Sequence, residues 1–150
     1  MIRAIGLVEF NSIAKGIESA DAMLKTGQVE VIVSRPICPG KYITLVWGDV
    51  AAVESAVKAG IAKGDVNVVD DFILPNVHPQ VIPACSAGNA VSRVQSLGII
   101  ETFSVAAMIV AADTAVKAGE VDLIEIRLGM GLGGKSFTTL TGDVAAVKSA

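Results

Sequence analysis

The sequence lacks several features that whole classes of protein require. Aromatic residues make up 4% of the chain although 52% of it is hydrophobic, so its apolar content comes mainly from Ala, Val and Ile, which suits tight packing of small elements. The two cysteines, Cys38 and Cys85, are too few and too far apart for a disulfide framework, which leaves free thiols or ligands. Basic residues are scattered and the net charge is −3, so nucleic acid is not an expected partner.

The sequence also has no apolar run of membrane-spanning length. The longest run of the second half, Val105 to Ala112, ends at Asp113 and is well short of the roughly 18 to 20 residues of a transmembrane helix. Met1-Ile2-Arg3 leads directly into a strand-like segment, without the pattern of a signal peptide. We therefore expect a cytoplasmic protein that makes no contact with a membrane.

Hydrophobic periodicity and capping residues predict the order β-α-β-β-α-β for the first half of the chain. Ser12 and Asp49 precede apolar positions with helical spacing, and Gly27 and Gly64 follow them. The predicted strands, which are short and rich in Val and Ile, are 4–10, 29–33, 42–47 and a fourth within 66–74. The predicted fold class is therefore α/β, of the α+β kind.

The second half of the chain repeats the first. A shift of 92 positions places Gly6 on Gly98 and Glu9 on Glu101, and a shift of 94 places the run 48–56 on 142–150 with one substitution. Such self-similarity indicates an internal duplication. It predicts two tandem domains, residues 1–92 and 93–150, of which the second is incomplete at its C-terminal end compared with the first.

The two copies differ most in one loop. Prolines flank Ile37-Cys38 in the first copy, so Cys38 is predicted to lie on a stiff loop outside any helix or central strand. The second copy has the glycine-rich run 128–134 instead, which does not match the spacing of a nucleotide-binding loop although Gly-Lys-Ser follows. From spacing alone Cys38 is an ordinary free thiol, because iron-sulfur clusters normally need about three or four thiolates.

Three segments and their repeats from Gly98 onward resemble the bacterial microcompartment shell proteins of the tandem-domain type, namely Ala4-Ile5-Gly6-Leu7-Val8-Glu9, Ala20-Asp21-Ala22-Met23-Leu24-Lys25 and Gly48-Asp49-Val50-Ala51-Ala52-Val53. Within that family, Ile37-Cys38-Pro39-Gly40-Lys41 and the glycine-rich loop are similar to those of the iron-sulfur shell proteins of propanediol-utilisation microcompartments. The resemblance covers essentially the whole chain. It implies a homotrimer with a six-sided outline that tiles with other hexagonal shell proteins.

The resemblance also implies roles for individual residues. Cys38 from each of three chains is expected to bind a 4Fe-4S cluster on the threefold axis, since symmetry brings three thiolates to one point. Lys25 and Lys117 are expected to lie along the edge between neighbouring assemblies. The residues expected to form the central pore loops are Ile37, Pro39, Gly40, Gly131, Gly133 and Gly134.

The expected function is a structural one, in a microcompartment shell in the cytoplasm, combined with transfer of electrons or of the cluster across that shell. Encapsulated redox enzymes are the expected electron partners. The main alternative is a gated metabolite pore without a metal centre, and a trimeric ligand-binding or signalling protein is a third hypothesis. No set of nucleophile, base and oxyanion stabiliser can be assembled from the sequence, so we expect no enzymatic activity.

Overall fold

The computed structural model describes residues 4–150 and divides the chain into two units, the first ending at Val77 and the second beginning at His78. The repeat in the sequence placed the division after residue 92. The structural division comes earlier because the segment that starts at His78 is hydrogen-bonded to Asp113 and Leu123 of the second unit.

The first unit has the predicted order of elements. It consists of β1 (Ala4–Phe10), α1 (Ile13–Thr26), β2 (Glu30–Ile37), β3 (Lys41–Gly48), α2 (Val50–Gly64), a 3-10 turn (Asp65–Asn67) and β4 (Val68–Pro75). The strands form an antiparallel sheet in the order β2-β3-β1-β4, so β2 and β4 are the edge strands. The predicted fold class is confirmed.

The core of the first unit lies between the sheet and the two helices. Every residue of β1 is buried, and alternate residues of β1, among them Val8 and Phe10, pack with Met23 of α1 and Val53 and Val57 of α2. Ser12 caps α1 as predicted, because its Oγ accepts a hydrogen bond of 3.3 Å from Lys15 N.

The second unit repeats this arrangement with fewer elements. It consists of α3 (Val81–Ser86), β5 (Ser96–Thr102), α4 (Val105–Ala118), β6 (Asp122–Arg127), β7 (Ser136–Gly142) and α5 (Val144–Ser149). The sheet order is β5-β7-β6, and the described residues include no counterpart of β4. Leu97 and Ile99 of β5 are 54% and 63% exposed, whereas their counterparts Ile5 and Leu7 are fully buried.

The strand registers show that the duplication extends to backbone detail. Phe10 pairs with Tyr42 in the first unit, and Thr102 pairs with Ser136 at the equivalent place in the second. The edge strand is irregular at the same point in both units, between Val31 and Val33 and between Leu123 and Glu125. Within residues 4–150, no helix combines the length and apolar character needed to cross a membrane.

Candidate functional site

Cys38 lies in a three-residue turn between β2 and β3. Ile37 and Lys41 form the last pair of the two strands, and Cys38, Pro39 and Gly40 connect them. Gly40 has φ +74°, a conformation that glycine adopts without strain and that commonly closes such hairpins. The turn is shorter than the loop predicted from the prolines, because β2 is an edge strand, where Pro36 can be accommodated.

The Cys38 thiol is free and partly exposed, whereas Ile37 beside it is buried. Residues 4–150 contain no group of three or more His, Cys, Asp or Glu side chains that could hold a metal ion. The described part of one chain therefore offers one partly exposed free cysteine and no complete metal site. A metal centre at this turn would have to take its ligands from more than one copy of the chain.

An ion pair lies at the end of the Cys38 turn. Lys41 Nζ donates to Glu9 Oε1 at 2.8 Å, and the Glu9 side chain is only 1% exposed while that of Lys41 is 19% exposed. The local sequence does not indicate this pair, since Glu9 and Lys41 are 32 residues apart in the chain. The signal that could have found it is the duplication, which repeats both residues as Glu101 and Lys135.

The glycine-rich loop of the second unit is a turn at the corresponding position, in which Gly129 is buried and Gly131 and Gly133 are exposed. Gly129, Gly131, Gly133 and Gly134 all have positive φ, and a Cβ on Gly131 or Gly133 would have no neighbour within 4 Å. The turn is closed by a hydrogen bond of 3.1 Å from Lys135 N to the Leu132 carbonyl. The loop therefore has space around it, and the assignment of its glycines to a pore remains a prediction.

The two lysines predicted at the assembly edge have different surroundings. Lys25 Nζ contacts Asp21 Oδ2 at 2.7 Å, and both side chains are largely exposed. Lys117 contacts Asp113, whose carboxylate is buried and also accepts a hydrogen bond of 2.8 Å from His78 N. Lys25 is thus a surface residue of an ordinary helical ion pair, whereas Lys117 extends from a buried network.

Cys85 is less accessible to a metal than Cys38. It lies on α3 and is buried, and this burial raises the pKa of its thiol to about 12. A thiol that stays protonated is neither a good nucleophile nor a good metal ligand. Cys38 is therefore the candidate ligand of the two.

Comparison with known proteins identifies the family. Residues 4–77 and 96–150 match the BMC domain, once in each unit. Over 150 residues the chain is 47% identical to the bacterial microcompartment shell protein PduT of Citrobacter freundii, covering 100% of this chain and 82% of that protein. The chain belongs to the family of BMC-domain shell proteins.

Two further relatives agree with this assignment. The crystal structure of a microcompartment protein from Desulfitobacterium hafniense is similar with a TM-score of 0.90 and 64% identity, covering 99% of this chain and 83% of that chain. A carboxysome shell protein of Hydrogenovibrio crunogenus is 38% identical over 92 residues, 58% of this chain and 88% of that protein. This BMC-domain protein is accordingly a component of a bacterial microcompartment shell, and the predicted tandem arrangement of two such domains is confirmed.

Proposed function

We propose that this shell protein forms a homotrimer with a six-sided outline and carries a 4Fe-4S cluster on the threefold axis. The observation that carries the proposal is the position of Cys38, an accessible thiol in a turn whose flanking residues are both held in strands. When bound, the cluster would supply one-electron transfer between the two sides of the shell. Encapsulated redox enzymes are the proposed partners in that transfer.

A single chain can supply one of the three protein ligands that such a site would need. Cys38 supplies one thiolate per chain, so a threefold axis would supply three and leave one iron to a ligand from outside the protein. Ile37 is buried and Pro39 has a fixed φ, so the thiol would be held in place before the cluster binds. The glycine-rich loop has the open space around it that a crowded axis needs.

The edge strands support assembly with further copies. In the second unit, the outer edge of β6 is covered by the segment 78–89: Leu123 N donates to Gln80 Oε1 at 2.8 Å, and Asn89 N donates to the Ile124 carbonyl at 2.7 Å. The equivalent strand of the first unit, β2, exposes Val31 by 41%. In a ring of alternating domains, this edge would be covered by a neighbouring chain.

Tiling with other hexagonal shell proteins would use the outer rim of the trimer. Lys25 is the candidate contact because its side chain is 75% exposed and projects from a helix. Its ion pair with Asp21 is a surface pair that contributes little to stability, so the lysine can exchange partners at low cost.

A gated metabolite pore is the second candidate function. It is favoured by the four glycines with positive φ in the 129–134 loop, which give the backbone freedom to move. A pore of this kind needs no thiol. Cys38→Ser would therefore abolish the proposed redox function and leave metabolite passage unchanged.

The test is anaerobic iron-sulfur reconstitution of the wild type, of Cys38→Ser and of Cys85→Ser as the matched control. Iron and sulfide analysis of a protein shown to be trimeric should give about four irons per trimer in the wild type and the control, with an EPR signal after reduction. Cys38→Ser should bind none. A trimeric wild type without bound iron would refute the redox proposal and leave the pore.

A further inference from the structure

Glu9 and Lys41 connect the Cys38 turn to the centre of the first sheet. Lys41 is the residue at which the turn ends, and its Nζ lies 2.8 Å from Glu9 Oε1. Glu9 belongs to β1, which is paired on both of its edges and is buried throughout. The end of the turn is therefore attached to the most buried strand of the unit by a side chain as well as by its backbone.

The strand register explains how the contact arises. Glu9 is paired with Ile43, and Lys41 lies two residues before Ile43, so both side chains are on one face of the sheet. They are diagonal neighbours, at a separation that long side chains can bridge. With 19% exposure, the lysine stem lies along the sheet rather than in solvent.

The second unit has the same contact although its loop is different. Lys135 Nζ lies 2.7 Å from Glu101 Oε1, at the positions equivalent to Lys41 and Glu9, and these side chains are 41% and 58% exposed. Exposed ion pairs contribute little to stability. The same ion pair thus occurs at the base of two loops that differ in sequence, and in the second unit it contributes little to stability because it is exposed. This recurrence points to a role for the pair at the base of the loop.

We propose that Glu9 and Lys41 are positioning residues that hold the Cys38 turn in one orientation. The purpose of this restraint rests on the proposed function, since a thiolate held in place loses little freedom when it becomes a shared ligand. The restraint itself belongs to the metal-free chain. It can therefore be measured whether or not a cluster binds.

The measurement is the rate at which iodoacetamide alkylates Cys38 in the metal-free protein. The double variant Glu9→Leu/Lys41→Met replaces the pair by apolar side chains. Proteins often tolerate this replacement of a buried ion pair without loss of stability. Loss of one hydrogen-bonded contact should raise the alkylation rate by about two- to tenfold. Lys41→Arg, which retains the charge and the contact, should react at the wild-type rate.

The matched control is Glu101→Leu/Lys135→Met, which removes the equivalent pair from the loop without a cysteine. It should leave the Cys38 rate unchanged. The proposal is overturned if the folded Glu9→Leu/Lys41→Met variant reacts like the wild type, or if the control accelerates the reaction equally. Should the double variant not fold, Glu9→Gln, which keeps the shape of the buried side chain and removes its charge, is compared with Lys41→Arg. Equal rates in these two would contradict a role for the ion pair.

Reconstitution separates this inference from the proposed function. If the wild type binds iron, Glu9→Leu/Lys41→Met should bind less of it or give a broadened EPR signal, because the three sulfurs would be less uniformly placed. A wild type that binds no iron refutes the cluster. The alkylation rates would still decide whether the ion pair restrains the turn.

Discussion

Gly16 lies directly against Tyr42: a Cβ placed on the glycine would be 2.5 Å from Tyr42 Cβ and 2.7 Å from its Cγ. The side chain of Tyr42, on β3, thus occupies the space that a side chain at position 16 of α1 would need. In the second unit the equivalent positions hold Met108 and Ser136, a large residue on the helix and a small one on the strand. At this contact between helix and strand, the first unit has its large side chain on the strand and the second unit has it on the helix.

This exchange predicts a compensating pair of substitutions. Gly16→Met should destabilise the protein by about 1 to 3 kcal/mol or more through overpacking, and Tyr42→Ser by about 3 to 5 kcal/mol through the cavity that it leaves. The double variant has the residues of the second unit at both positions. Its loss of unfolding free energy should be smaller than the sum of the two single losses by about 0.5 to 3 kcal/mol. Urea unfolding of the four proteins measures this coupling. Strictly additive effects would show that the two positions do not share one packing space.

The duplication made most of the fold predictable from the sequence. The order of elements follows from hydrophobic periodicity, and the cap at Ser12 follows from its place before an apolar helix. The length of β2 was not predictable, because a proline normally ends a strand and only the sheet order shows that β2 is an edge. The exchange between Gly16 and Tyr42 was also hidden, since it depends on which residues face each other across two elements.

The candidate site was predicted in part. Proline on both sides of Ile37-Cys38 is a local signal, and the structure does place Cys38 in a turn. The ion pair of Glu9 and Lys41 depends on the register of β1 against β3, which the local sequence does not reveal. The attachment of the segment 78–89 to β6, through hydrogen bonds of Gln80 and Asn89, also has no signal in the local sequence.

The two cysteines should react very differently. Burial raises the pKa of Cys85 to about 12, so its thiol is protonated and shielded at neutral and mildly alkaline pH, whereas Cys38 is accessible. Folded metal-free protein at about pH 8 should therefore lose one thiol per chain to iodoacetamide, and denatured protein should lose two. Peptide mapping should place the first label on Cys38. Labelling of Cys85 at a similar rate in the folded protein would show that α3 opens readily.

Glu18 should make the stability of the protein depend on pH in the acid range. Its carboxylate lies 2.6 Å from Lys63 Nζ and 2.9 Å from Lys15 Nζ, and hydrogen bonds from Lys63 first and Lys15 second lower its pKa from the ordinary 4.5 to about 2. Because the folded pKa is the lower one, the stabilisation is complete above about pH 4.5 and is lost as the pH falls towards 2.

Urea unfolding between these pH values measures the Glu18 effect. Glu18→Gln should flatten the dependence of the free energy of unfolding on pH in this window, and Lys63→Met should flatten it more than Lys15→Met does. High salt should reduce the wild-type slope because the groups are exposed. A slope that Glu18→Gln leaves unchanged would assign the acid sensitivity to other carboxylates.

The contact of Gln80 with β6 should hold the segment 78–89 to the second unit. Gln80 Oε1 accepts from Leu123 N at 2.8 Å and its Nε2 donates to Asp122 Oδ1 at 2.7 Å, at the outer edge of the sheet. Leu123 is fully buried, so Gln80→Ala removes the acceptor of a buried N–H group and should cost about 1 to 3 kcal/mol. Amide exchange at Leu123 should become faster as well.

Ser86→Ala, which removes an exposed hydroxyl from the same segment, is the control and should change neither quantity. If Gln80→Ala left the Leu123 exchange rate at its wild-type value, the segment would be held by its apolar contacts rather than by this side chain.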